Sequence, residues 1–112
     1  MKKIEDLKVK IFCDGANIEE FKSLSKMSFI KGYTTNPSLM RKAGVTDYEG
    51  FIGQVLPIIG DKPVSFEVIS DEFPEMRKQA IKLSRFAKNI YVKIPITNTR
   101  AESCISLIED LL

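Results

Sequence analysis

Ile90-Tyr91-Val92-Lys93-Ile94-Pro95-Ile96 sets a single ammonium inside a run that is otherwise apolar and rich in β-branched residues. Its length and composition predict a β-strand. A strand apolar on both faces belongs to a parallel sheet covered on both sides, not to a half-solvated antiparallel one. Alternation places Tyr91, Lys93 and Pro95 on one face and Ile90, Val92, Ile94 and Ile96 on the other. An ionised Lys is costly to desolvate there. Burial disfavours the ammonium, and a neutral Lys amine attacks carbonyl carbon to form a Schiff base. The competing reading is a Lys at a strand end whose head reaches water while its stem packs. Taken alone, this segment favours the second reading.

On the N-terminal side of this strand, a helix from about Pro74 carries Met76, Ala80, Leu83 and Ala87 on one stripe, and Asn89 closes it. Before that helix, Val64-Ser65-Phe66-Glu67-Val68-Ile69 reads as a strand entered through Asp61-Lys62-Pro63. Earlier still, Thr46-Asp47 opens a helix whose apolar positions Tyr48, Phe51, Ile52, Val55, Leu56 and Ile59 recur at helical spacing until Gly60 ends it. A shorter helix precedes it, with Asn36 as N-cap and Pro37 at the first helical position, running to Gly44. Phe29 to Thr34 forms the strand before that. The first unit is a strand over Val9 to Cys13, a turn Asp14-Gly15-Ala16, and a helix capped by Asn17 that continues through Ile18, Phe21 and Leu24 to about Met27. Beyond the Lys93 strand, Thr99-Arg100-Ala101-Glu102 fits a capping box, followed by an apolar stripe of Ala101, Cys104, Ile105, Ile108, Leu111 and Leu112.

Strands and helices therefore alternate with short connections, which predicts α/β architecture with four βα units on a parallel sheet and right-handed crossovers. Four such units amount to about half of a TIM (β/α)8 barrel, which typically takes about 250 residues. A small doubly wound sheet is the other arrangement, but Asp14-Gly15-Ala16-Asn17 lacks the Gly-rich phosphate cradle that dinucleotide folds place after the first strand.

Composition narrows the chemistry. The 112 residues are 44% hydrophobic and 29% charged, as expected of one globular domain. Net charge is +2 with no block of one sign, so neither nucleic acid nor a membrane surface is an expected partner. Met1-Lys2-Lys3 is not followed by an apolar leader and no stretch approaches membrane-spanning length, so the cytoplasm is expected. Histidine is absent, which excludes the common nucleophile–His pairs and His-containing zinc sites. Lys, carboxylates, Tyr and hydroxyls remain. Cys13 and Cys104 are expected to be buried reduced thiols.

The polar residues that stand out share a position. Asp14 follows the first strand, Asn36 the second, Glu67 lies late in the third and Lys93 late in the fourth. In parallel α/β folds the C-terminal strand ends are where ligands bind. Each residue has a structural explanation: Asp14 as a turn former, Asn36 as an N-cap, Glu67 and Lys93 as a buried ion pair. Independent structural causes, however, give no reason for an acid, an amide, an acid and an amine to share one rim.

The segments Phe12-Cys13-Asp14-Gly15-Ala16-Asn17, Tyr33-Thr34-Thr35-Asn36-Pro37-Ser38-Leu39, Val64-Ser65-Phe66-Glu67-Val68 and Val92-Lys93-Ile94-Pro95-Ile96-Thr97 resemble, in order and spacing, the N-terminal motifs of the transaldolase family of small single-domain type. The resemblance covers essentially the whole chain and favours Lys93 as a functional residue. It implies a pentose phosphate pathway transferase that moves a dihydroxyacetone unit between sugar phosphates, with no metal or organic cofactor. It implies Lys93 as the Schiff-base lysine, Asp14 as the proton handler at the substrate hydroxyl, and Glu67 as the carboxylate that activates a water. Asn36, with Thr35 beside it, would bind substrate. The related fructose 6-phosphate aldolases usually carry Gln at the position of Glu67, so Glu67 favours the transferase, since an ionised acid relays a proton and an amide does not. Gly15 departs from the Thr or Ser commoner after the aspartate.

The family's later strands and phosphate-binding loops have no counterpart here, so the expectation is a truncated N-terminal half of the barrel. Its open edges at strands one and four predict a homo-oligomer. The alternatives are fructose 6-phosphate aldolase-like activity or a non-catalytic half-barrel that oligomerises.

Overall fold

The computed structural model describes residues 2–112. After a short 3-10 turn, Ile4–Asp6, the elements are β1 (Ile11–Asp14), α1 (Ile18–Leu24), β2 (Ile30–Thr34), α2 (Pro37–Lys42), α3 (Tyr48–Ile59), β3 (Val64–Glu67), α4 (Phe73–Ser84), β4 (Ile90–Lys93) and α5 (Ile105–Leu111). The chain divides into two compact units, 1–64 and 65–112, with the division just inside β3.

In the first unit β1 and β2 pair in parallel, Phe12 opposite Gly32, Cys13 opposite Tyr33 and Asp14 opposite Thr34. The connecting helix α1 starts where Asn17 accepts the Glu20 N–H at 3.1 Å, which satisfies one of the amides that a helix start leaves without an internal partner. Asp47 caps α3 in the same way through Gly50 N–H, 3.1 Å away. Phe51, Ile52, Val55 and Ile59 of α3 are buried, as their spacing predicts, with Phe21, Ile30, Tyr33 and Met40. Burying each such large side chain stabilises by about 1.5–3 kcal/mol. The rings of Phe21 and Tyr33 meet edge to face, centroids 5.3 Å apart. The backbone turns out of α3 at Gly60, whose φ of +62° suits a residue without Cβ. Tyr33 N–H then donates to Pro63 C=O at 2.8 Å, which brings the entrance of β3 alongside β2.

In the second unit Phe66 and Val68 are buried with Met76, Ala80 and Leu83 of α4. Val68 N–H donates to Lys93 C=O at 3.1 Å, the last rung between β3 and β4. Arg77 and Asp110, 2.8 Å apart at the surface, link α4 to α5. Strand order is β1-β2-β3-β4. Each strand therefore neighbours its predecessor, and among the described residues the strand order shows no reversal of the kind a doubly wound sheet has. The architecture is α/β with four parallel βα units, as in part of a TIM barrel.

Several boundaries differ from expectation. β1 begins two residues later, at Ile11, and includes Asp14. β4 stops at Lys93 rather than Ile96; Pro95, without an N–H, cannot extend the ladder. α1 ends at Leu24 and α4 at Ser84, each short of its predicted end. The capping box at Thr99 is not formed. Residues 97–104 are a loop in which Ala101 has φ +61°, and α5 starts at Ile105. The reason is competition: the Thr99 N–H and hydroxyl both bond Asp71. β4 is also not covered on both faces, because Tyr91 is 66% exposed. Ala80, Ile81 and Ser84 of α4 line a cleft with Val92 and Ile94, the opposite side of the strand.

Candidate active site

Each residue singled out in the sequence stands at or just beyond the C-terminal end of a strand, with Asp14, Thr35 and Asn36 in the first unit and Glu67 and Lys93 in the second. Asp14 is the last residue of β1, and its Oδ1 accepts the Thr34 hydroxyl at 2.7 Å. The next rung, Gly15 N–H to Thr34 C=O at 3.0 Å, fixes the same pair through the backbone. Thr34 was not singled out in the sequence. Only the parallel register shows that it faces Asp14.

Immediately after it, Thr35 is fully buried and Asn36 half-buried. Asn36 Oδ1 accepts Leu39 N–H at 2.8 Å, with Pro37 at the first helical position. The capping role is therefore real. It engages the carbonyl oxygen of the amide, and the two Nδ2 N–H groups take no part in the cap. Asp14 and the 34–36 segment thus lie together in the first unit.

In the second unit Glu67 ends β3 and Lys93 ends β4. In a parallel ladder the rung from Val68 N–H to Lys93 C=O sets Glu67 beside Lys93, just as the Gly15–Thr34 rung accompanies the Asp14–Thr34 pair. Paired residues project to the same face. Glu67 therefore lies opposite the buried Phe66 and Val68, and Lys93 opposite Val92. Both are half-buried. The face they share also carries Ser65 and Tyr91.

The titratable neighbours of Asp14 are subdued. Burial pushes the Cys13 thiol up, helped by the charges of Glu20 and Asp14, so Cys13 is a poor nucleophile. It is only partly buried, unlike Cys104, and both are free thiols. Tyr33, opposite Cys13 in the register, is also shifted upward, first by burial and then by Cys13. Its hydroxyl is buried without a hydrogen-bond partner among the described residues.

Sequence reasoning missed a second polar group just past Glu67 and Lys93. Asp71 accepts both Thr99 N–H, at 2.8 Å, and the Thr99 hydroxyl. Arg100 contacts Glu72 at 2.7 Å and Glu102 at 2.8 Å. At its centre is Asn98, 6% exposed, the one buried amide among the described residues. The Thr99 hydroxyl and N–H, with Arg100 assisting, hold the Asp71 carboxyl below the usual range; Asn98 and Arg100 do the same for Glu102. No local pattern announces this cluster, because its halves lie 28 residues apart. Among the described residues no group of three His, Cys, Asp or Glu side chains is placed to hold a metal ion, and no helix is long and apolar enough to cross a membrane.

The arrangement offers an amine beside a carboxylate on one ladder, and a carboxylate beside a hydroxyl and an amide on another. Such groups serve imine formation and proton transfer. A family model described as Transaldolase/Fructose-6-phosphate aldolase matches residues 11–112. A "Probable transaldolase" of Dehalococcoides mccartyi is 40% identical over 89 residues, 80% of this chain and 41% of that protein. One of Exiguobacterium sibiricum is 38% identical over 99 residues, 88% of this chain and 46% of its own. A third, of Clostridium perfringens, is 43% identical over 88 residues, 79% and 40% of the two chains. The chain thus spans less than half the length of these relatives.

Proposed function

Since the chain belongs to the transaldolase/fructose-6-phosphate aldolase family, we propose that it carries the Schiff-base machinery of a transaldolase acting on sugar phosphates in the cytoplasm, and supplies half of the (β/α)8 barrel. The observation that supports this most is the rung that sets Glu67 beside Lys93 at the C-terminal ends of β3 and β4.

In the proposed reaction Lys93 Nζ attacks the ketose C2 carbonyl to form a carbinolamine. A water held by Glu67 relays the proton that lets hydroxide leave as water, giving a protonated imine. The Asp14 carboxylate takes the proton of the C4 hydroxyl, the C3–C4 bond breaks, and an aldose phosphate departs. The electron pair passes into the imine, which becomes an enamine. That enamine attacks the aldehyde of an acceptor aldose phosphate, and hydrolysis frees the new ketose and Lys93. Asn36 Nδ2 and Thr35 orient the three-carbon unit. The imine is the electron sink, so these steps call on no metal or organic cofactor. Glu67 in place of an amide supports the transferase over the aldolase. Self-association belongs to the same proposal, since β1 and β4 end the strand order and present backbone groups for pairing.

Borohydride reduction in the presence of fructose 6-phosphate tests the central step. A stable adduct is expected on Lys93, and Lys93→Met is expected to abolish it. An adduct that persists in the Lys93→Met protein, or a folded wild-type chain that never traps, overturns the assignment.

A further inference from the structure

We propose that Asp71, Asn98 and Thr99 form a clasp that positions Lys93 by holding the last rung of the β3–β4 ladder. The inference rests on Lys93 being the nucleophile.

Beyond the Val68–Lys93 rung the two strands separate. On the β3 side, Ile69 and Ser70 N–H both turn to the Gln79 side chain, at 2.8 and 2.9 Å. On the β4 side, Pro95 has no N–H to offer. The rung that includes Lys93 is therefore terminal, and terminal rungs open most readily. Lys93 is the last residue of its strand, so the loop beyond it must supply the restraint from that side.

The two chains meet again a few residues on. Thr99 N–H donates to Asp71 Oδ1 at 2.8 Å and the Thr99 hydroxyl to Oδ2, while Asn98 Nδ2 donates to Asp71 C=O at 3.2 Å. The ring closed between the rung and the clasp is short, so little loop entropy opposes it. Asn98 stiffens the β4 side internally. Its Oδ1 accepts Arg100 and Glu102 N–H, both at 3.0 Å, and its Nδ2 also reaches Glu102 Oε1 at 2.9 Å. Arg100 is drawn into the same loop by Glu72 and Glu102. These carboxylates balance its charge and hold Arg100 within the clasp. A nucleophile has to lie within about 3–3.5 Å of its carbonyl, and a misplacement of about 1 Å costs up to roughly 100-fold in rate. The clasp residues are thus positioning residues for Lys93.

The test uses the full chain with Thr99→Val, which removes the hydroxyl donor but keeps the N–H, with Asp71→Ala, and with Thr99→Ser as the conservative variant. Hydrogen exchange at Val68 N–H reads the rung without reference to activity. It is expected to quicken by about tenfold in Asp71→Ala, less in Thr99→Val, and not in Thr99→Ser, while amides within α4 keep their protection. Borohydride trapping with fructose 6-phosphate reads Lys93. Its rate at saturating sugar is expected to fall by about tenfold in Asp71→Ala, with little change in the half-saturating concentration, to fall less in Thr99→Val, and to stay at the wild-type value in Thr99→Ser. Unchanged Val68 exchange in Asp71→Ala overturns the clasp. Faster exchange with wild-type trapping overturns its positioning role. A wild-type chain that never traps overturns the Schiff-base reading and the positioning role with it, and Val68 exchange then still decides whether the clasp holds the rung.

Discussion

Replacing Asn98 with Ala removes a side chain that makes four hydrogen bonds while only 6% exposed: two from backbone N–H groups, one to Asp71 C=O and one to the Glu102 carboxylate. A net contribution of about 0.5–1.5 kcal/mol each would give roughly 2–6 kcal/mol. The low end applies. Arg100 and Glu102 are exposed, so water takes over their amides, and the Glu102 carboxylate keeps Arg100. Losing the anchor also lets Ala101 leave φ +61°, recovering about 1 kcal/mol. The expected loss is about 1–2 kcal/mol, equivalent to a Tm lower by roughly 4–8 °C for a chain of this size. Thermal and urea unfolding at pH 7, followed by circular dichroism, measure it, with an unchanged urea slope expected. Asn98→Asp keeps acceptors for the two amides but turns acceptors toward Asp71 C=O and Glu102. It is expected to destabilise at least as much at pH 7. A loss below about 0.5 kcal/mol for Asn98→Ala, or an Asn98→Asp protein more stable than Asn98→Ala, refutes the anchoring role.

Acid should weaken the same loop. Asp71 and Glu102 have depressed folded pKa values, so the folded state binds fewer protons than the unfolded chain. Their contribution is complete above the ordinary carboxylate range of about 4 and is lost as the pH falls through the folded values. Urea midpoints should therefore drop below about pH 4, and less steeply in Asp71→Asn; an identical slope in that variant contradicts the account. Ala101→Gly relieves a left-handed conformation costing about 1–2 kcal/mol, against roughly 0.5–1 kcal/mol of extra chain entropy in the unfolded state. Because Ala101 is exposed, no packing is lost. A gain of about 0.5–1 kcal/mol in urea unfolding is expected, and a loss for Ala101→Val; a destabilised Gly variant contradicts it.

Much of the architecture was legible because local physics decides it. The caps at Asn17, Asn36 and Asp47 lie where the side chain and its amide are three residues apart, so nothing distant intervenes. The stripe of α3 is equally local, since burial follows the helical period. Thr99 failed by the same logic. Its capping pattern was sound, but Asp71 offered both oxygens from 28 residues away and took the N–H and the hydroxyl. Strand ends were misjudged where an apolar run continued past the last rung, as at Ile94 to Ile96.

The sequence by itself determined the alternation of strands and helices, the family, and the placing of Asp14, Asn36, Glu67 and Lys93 at strand ends, because residue periodicity and short-range hydrogen bonding are written in neighbouring letters. Only the tertiary structure decided that Thr34 faces Asp14, that Glu67 lies beside Lys93, and that Asp71 closes on Asn98 and Thr99. Those pairings depend on register and on which of several competing donors reaches an acceptor first in space. The awkward lysine was visible in the letters; the loop that holds its strand end was visible only once the chain had folded.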